Sequence, residues 1–463
     1  MDVDVAVKNG LVVTTEGTAR ASVGIRDGRI CALVDDPRDL TAREEEIDAA
    51  GLVALPGVIE PHCHFWDPGP TEREDWETGT RSAAAGGITT VIEMPLSDPP
   101  TVDAAAFRLK QERAAALAVV DYALWGGLIP ASWDGLQDRL QAMDELGAVA
   151  YKAFMCWSAT DYPPVDDGLL LAAMRELARH GRMIGLHAEN DAIIKRSELS
   201  LHEQGRTDPL AHVESRPEIA EYEAIGRALA LAEAAGVDLY IVHMSIADGA
   251  ELLRQAKARG QRVWVETAPQ YLTLDAEALT ERGPFAKCSP PLRSRANTER
   301  LWRHVLDGTI DTIGSDHAPF THAEKEAGRD NIWAAPNGLT GIQTMLPLIL
   351  SEGVHRRGLT LQRVAALLST NVARAFRLYP QKGVIALGSD GDLTLVDLDR
   401  EWRVDDDGLF YKNKWSPYRG LRVRGKVART IVRGRTVFSD DAVVGQPGDG
   451  RQVLPRARDA NHG

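Results

Sequence analysis

Hydrophobic and polar positions change rhythm twice along the chain. Residues 2–54 alternate with period two: Val3, Val5 and Val7 stand between polar residues, and LVV, SVGIRDGRICALV and LVAL follow, separated by turn residues. That pattern predicts short strands. Residues 383–439 resume it with GVIALGSDGDLTLVDLD and RVRGKVARTIVRGRTVF, broken by Gly-Asp and Arg-Gly turns. The two ends are β-rich and the middle is not, so residues 1–54 and 381–463 are expected to pair as one small β domain, a sandwich built from both termini. Two independent terminal domains are the alternative.

The middle, residues 55–380, alternates strand-like runs with Ala/Leu/Arg-rich helical stretches such as DGLLLAAMRELARHG and EYEAIGRALALAEAAG. The strand candidates are GVIEPHCH, TTVIEMPL, VDYALWGGL, AVAYKAFM, MIGLHAEN, DLYIVHMS, VWVETAPQYL and IDTIGSDHAP. Alternating βα units predict an α/β domain with a parallel sheet, and eight of them fit a closed (β/α)8 barrel. A doubly wound open sheet has the same pattern, but the first crossover lacks the Gly-rich phosphate fingerprint of a dinucleotide fold.

Composition narrows the class of partner. The 463 residues carry a formal net charge of -14, which disfavours nucleic acid and anionic membranes as partners. The N-terminus has acidic residues where a signal peptide has basic ones, and no apolar run approaches a membrane span. Four separated cysteines without a CxxC pair read as reduced thiols in a cytoplasmic protein.

The candidate chemistry sits at strand ends. His62 and His64 flank Cys63 at the end of the first run, so both face one way and Cys63 the other. An HxH alone is a weak signal for metal. Lys152 stands in an otherwise apolar strand, where a buried ammonium needs a partner or must lose its charge; an outward lysine reaching solvent is the plain alternative. His187, His243 and Asp316 close three further runs. These ends form the rim at which barrel enzymes keep their active sites, and their N and O donors suit two borderline divalent cations such as zinc. Glu60 shares the parity of His62 and could line the interior. The remaining histidines (His180, His202, His212, His304, His322, His355, His462) fall on helices, loops or the tail and are expected at the surface. His317 should face away from Asp316.

The ordered motifs HCH, YKAF, LHAEN, VHMS and GSDHAP resemble those of the cyclic amidohydrolases, the group of hydantoinases, dihydropyrimidinases, dihydroorotases and allantoinases. The resemblance implies a binuclear centre. His62, His64 and Asp316 would hold the more buried metal, and His187 and His243 the other. Lys152, carboxylated by CO2, would bridge them, and Asp316 would be the catalytic acid–base. Zinc is the expected metal, with manganese, cobalt or iron as alternatives. The resemblance also implies a small cyclic amide as substrate, a homotetramer, and substrate contacts near Ser289 and Asn337, although Ser-Pro-Pro and Asn-Gly also serve as plain turns.

Within the group, WETGTRSAAAGGITTVIEMPLSDPPTVD, AHVESRPEIAEYEAI, AKCSPPLR and KNKWSPYRG look most like allantoinases, whereas NIWAAPNGLTGIQ and SDHAPF look as much like hydantoinases. Trp66 stands where dihydroorotases keep a carboxylate-gripping Arg, and Trp157 where hydantoinases keep a polarising Tyr. A non-catalytic relative is disfavoured because all six expected ligands are present. Because strand alternation turns Cys63 away from the histidines, Cys63→Ala should leave metal content and turnover at wild-type levels, measured by elemental analysis and steady-state kinetics.

Overall fold

All eight expected runs form parallel strands, in the expected order. In the computed structural model, which describes residues 1–157 and 162–457, they are Val58–Cys63, Ile88–Glu93, Asp121–Leu124 with its continuation Gly126–Gly127, Tyr151–Phe154, Met183–His187, Asp238–Ile241, Val263–Thr267 and Thr312–Ile313. They are short, and nearly every residue in them is buried, as expected for strands covered on both faces. Helices cover them by the usual rules. Asp167–Arg179 starts where the Asp166 carboxylate caps Leu169 N, and it buries Leu169, Leu170, Ala173, Met174 and Leu177 on one face.

The ring is held by two hydrogen-bonded sheets, of three and six strands, and not by one unbroken ladder. At one seam strand three leaves its first sheet after Leu124 and enters the second: Trp125 N donates to Glu93 O, and Gly126 N to Ala150 O. Glycine is required there, since a Cβ on Gly126 would lie 2.6 Å from the Tyr151 ring. At the other seam strand one meets strand eight through His64 N to His317 O at 2.8 Å. Pro61 has no N–H, and the pairing of strand one slips between Glu60 and Cys63. The Glu60 side chain supplies the missing acceptor, taking His62 N at 2.8 Å and Ser315 N at 3.0 and 3.1 Å. Burial pushes its carboxyl up to about 8, with the Ser315 and His62 hydrogen bonds opposing. Glu60 is therefore a pin between the first and last strands.

Both chain ends enter one nine-stranded sheet. Val53–Pro56, immediately before the barrel, pairs antiparallel with Leu393–Arg403, immediately after it, and parallel with Asp2–Val13. The sheet has its own apolar cluster, including Val5, Val23, Ile30, Leu393 and Ile431. Among the described residues no helix is long and apolar enough to cross a membrane.

Where sheet meets barrel, Lys382 Nζ lies 2.6 Å from Asp121, 2.6 Å from Asp392 and 3.0 Å from Asp390, all nearly inaccessible. Arg433 also bonds Asp121. Three clustered carboxylates would invite a cation, and the lysine is that cation. Removing one partner of a buried ion pair strands the others and costs about 3–5 kcal/mol. Lys382→Met should lower unfolding stability by that amount in denaturant titration, leaving Asp121, Asp390 and Asp392 without their ammonium.

Candidate metal centre

The strand ends bring all six expected ligands to one cavity of about 1350 Å³. His62 and His64 share a face, as alternation requires, with ring centroids 5.4 Å apart. Cys63 points away into the apolar core beside Phe65 and Trp76. Asp316 Oδ1 lies 3.3 Å from His62 Nε2 and 3.5 Å from His64 Nε2. His243 sits 5.2 Å from the His62 ring and 4.6 Å from that of His187. Lys152 is fully buried, 5.0 Å from the centroid of Phe154, which stacks on His187. The plain alternative for Lys152, an outward side chain reaching solvent, is thereby excluded.

Three residues here hold left-handed backbone without being glycine: Trp66 (φ 58°), His243 (φ 36°) and Asp316 (φ 48°). Such conformations cost about 1–3 kcal/mol each and cluster at functional sites. They turn the chain sharply at the strand end, so that the side chain faces the mouth of the barrel.

The electrostatics suit cation binding. Burial lowers the pKa of His62, His64, His187 and His243, which keeps the imidazoles neutral and their lone pairs available. Burial lowers Lys152 to about 7, and its Nζ has no hydrogen-bond partner among the described residues. Burial raises the Asp316 carboxyl, with the His62 and Lys152 charges opposing. An inaccessible amine with no hydrogen-bond partner among the described residues, beside neutral imidazoles and one carboxylate, is a donor set suited to cations. The residues therefore fit a binuclear site. His62, His64 and Asp316 alone bring three ligand atoms within 4.8 Å of one another.

Around the donors lies a set of partners the sequence reading missed. Glu266, on strand seven, accepts from His62 Nδ1 at 2.8 Å, from His243 N at 2.8 Å and from the Tyr240 hydroxyl at 2.8 Å. It thereby fixes His62 in the tautomer that turns Nε2 to Asp316. Glu189 bonds His187 Nε2 at 2.7 Å and Arg216, leaving Nδ1 as the free nitrogen of His187. Burial alone would raise the Glu189 carboxyl, but the Arg216 charge and the His187 bond outweigh it and hold it at about 2. Cys156, His187 and Glu189 also converge, yet the carboxylate is committed to Arg216 and burial pushes the Cys156 thiol far up. An acid inside an apolar strand was the available signal for Glu266, the same signal that marked Lys152.

Ser289 and Asn337 both line the cavity, as do Trp66 and Trp157. Trp66 stacks on His64 at 5.7 Å and spends its indole N–H on Pro319 O, while Trp157 is 44% exposed. His317 faces away, as expected, packing near Phe65 and Tyr411. The surface assignment of His212 is corrected: it is 2% exposed, lines the cavity and bonds Cys288 O at 2.8 Å. Its short helix, Pro209–Ser215, packs inward beneath a loop 76 residues away. His202 is exposed, yet it borders the same cavity, its ring tilted against Trp333 with centroids 4.7 Å apart.

Known proteins share this sequence pattern and fold. The amidohydrolase family profile matches residues 53–437. The chain is 44% identical to an allantoinase of Rubrobacter xylanophilus, over 98% of both lengths, and 41% identical to an allantoinase of Solibacter usitatus, over 97% of both. Its fold matches that of an L-hydantoinase (dihydropyrimidinase) from Arthrobacter aurescens with a TM-score of 0.94 and 38% identity, over 98% of this chain and 100% of that one. The chain belongs to the amidohydrolase family and is a metal-dependent hydrolase.

Glu266 supports the ligands without being one. Loss of such a partner typically costs 10–100-fold in metal affinity. Glu266→Ala should weaken metal binding by about that factor in a chelator competition, with the chain still folded by circular dichroism.

Proposed function

We propose that this amidohydrolase opens a cyclic amide by hydrolysis, with allantoin as the ring and allantoate as the product, a step of purine catabolism. The convergence of four neutral imidazoles, Asp316 and an unpartnered buried Lys152 on one cavity carries the reading. The relatives of highest identity above, both allantoinases, supply the substrate. The expected cellular form is a cytoplasmic homotetramer.

Two divalent ions, zinc first and manganese, cobalt or iron as alternatives, would be held by His62, His64 and Asp316 on one side and His187 and His243 on the other, and when bound would supply ionised water near neutral pH and polarise the ring carbonyl. Lys152 joins the two halves. Its neutral amine adds to CO2, forming an N–C bond and losing one proton, and the resulting carboxylate gives the buried side chain an anion to face two cations.

Asp316 moves the proton. Its carboxylate takes the proton from the attacking water and returns it to the ring nitrogen as the C–N bond breaks, serving as base and then acid. Ser289 and Asn337, on the cavity wall, hydrogen-bond the ring amide. Trp66 offers no charge to a ring carboxylate, and Arg73, stacked over it, is committed to Glu324. That composition disfavours a carboxylated ring.

A hydantoinase of other specificity is the second reading, favoured by the 0.94 match to an L-hydantoinase. Purified enzyme supplied with zinc, manganese or cobalt should turn over allantoin faster than 5-substituted hydantoins, dihydrouracil or dihydroorotate. The reverse order would assign the second reading. Asp316→Ala should lose nearly all turnover. Lys152→Ala should do the same and recover part of it with short-chain carboxylic acids, which replace the missing anion.

A further inference from the structure

Besides the donors, the cavity is lined by residues of two loops, around residues 287–289 and 332–338, and both are held by buried cationic or imidazole side chains that the chemistry above does not use. Lys325 is fully inaccessible. Burial lowers its pKa, but unlike Lys152 it meets three main-chain carbonyls, which favour the three-donor ammonium: Lys287 O at 3.2 Å, Pro336 O at 3.0 Å and Gly338 O at 2.9 Å. Lys287 Nζ bonds Ile332 O at 2.9 Å and Ala335 O at 2.6 Å. Gly338 N donates to Lys287 O at 3.0 Å, joining the loops directly. His212 Nε2 bonds Cys288 O at 2.8 Å. Three of these carbonyls, Cys288 O, Pro336 O and Gly338 O, belong to residues next to Ser289 or Asn337, the two expected to meet substrate.

The peptide geometry gives these contacts a direction. In a trans peptide the carbonyl and the following N–H point opposite ways in one rigid plane, and the Cys288–Ser289 and Pro336–Asn337 peptides are not among the cis bonds. Holding Cys288 O against His212 therefore sends the Ser289 N–H away from that ring. Holding Pro336 O against Lys325 sends the Asn337 N–H away from that ammonium. Both residues line the cavity. Asp316 lines the same cavity as Ser289 and Asn337. The Ser289 hydroxyl is buried and unbonded among the described residues.

We propose that His212 and Lys325 are positioning residues, which fix the Cys288–Ser289 and Pro336–Asn337 peptide planes so that their N–H groups face the amide of the bound ring. Neither side chain touches the reacting atoms; each acts through a carbonyl. The inference rests on the cyclic-amide reading of the site. It explains why a histidine on a surface-type helix is buried at 2% exposure, and why a lysine spends its whole donor set on one pair of loops. Main-chain donors set this way recognise the ring amide common to all the candidate substrates, whatever the ring carries elsewhere.

The test compares variants of the metal-loaded enzyme on allantoin and on unsubstituted hydantoin. His212→Gln keeps a side-chain donor for Cys288 O, and His212→Leu removes it from a side chain of similar bulk. The Gln variant should stay within a few-fold of wild-type kcat/KM. The Leu variant and Lys325→Met should fall by about a hundredfold, the scale of a small misplacement at a reacting centre. The loss should be equal for both rings and appear in kcat as well as KM, with metal per chain unchanged. Equal impairment of the Gln and Leu variants, or wild-type kcat/KM in the Leu variant, overturns the proposal. If Lys325→Met or His212→Leu does not fold, as judged by thermal melting, the Gln variant decides: a hundredfold loss there refutes the role. A wild-type enzyme that opens neither ring refutes the proposed function instead, and hydantoin binding by calorimetry then separates Gln from Leu.

Discussion

An uncharged environment for ionisable groups is the constraint on which the rest of this structure depends. Taking an ion out of water costs several kcal/mol even after relaxation, yet the barrel mouth buries four histidines, Lys152, Asp316, Glu60, Glu189 and Glu266. The chain meets that cost in different ways. Glu189 keeps its charge because Arg216 faces it. Glu60 shifts toward its protonated form, and the imidazoles and Lys152 toward their neutral forms. The groups left neutral are the donors a metal site needs, so the burial that threatens stability also prepares the ligands.

The same carboxylates do mechanical work. The seam between strands one and eight has too few ladder bonds to close the ring by main chain alone, because Pro61 lacks its N–H and strand eight has only the two paired residues Thr312 and Ile313. Glu60 spans strands one and eight; Glu266 spans strands seven, six and one through Tyr240, His243 and His62. Ring closure and ligand orientation are thus one set of hydrogen bonds. At the other end of the barrel, Lys382 among Asp121, Asp390 and Asp392 couples strand three to the segment entering the terminal sheet.

Strand order and ligand position were legible because both are local. A run of β-branched residues predicts a strand wherever it sits, and a polar residue at its end predicts the rim. HxH parity fixed the orientation of Cys63 in the same way. Residues whose role lies in a distant partner were not legible. Glu266 meets His62 across 204 positions and His212 meets Cys288 across 76. His212 was expected at the surface because it lies outside the strand runs and nothing near it in sequence says that a loop will cover it. Glu60 was placed inside the barrel by parity, but its task depends on the slip at Pro61, which appears only once strand eight is alongside.

The division of labour in the cavity follows from what its walls are made of. Trp66, Phe154, Phe320 and Trp157 supply aromatic faces, and the Trp66 indole N–H is already spent on Pro319 O. Aromatic faces bury a flat ring but cannot distinguish its amide from its other edges. The ionisable groups nearest the donors are committed to orienting ligands. Polar recognition of the ring therefore falls to main chain, which has no rotamers of its own and must be aimed by whatever holds its carbonyls. In this chain those holders are cationic or imidazole side chains fully or almost fully enclosed by protein, so the burial that prepares the metal ligands also holds the loops around Ser289 and Asn337. One physical device, buried polar groups with fixed partners, sets both sides of the cavity between which the ring must lie.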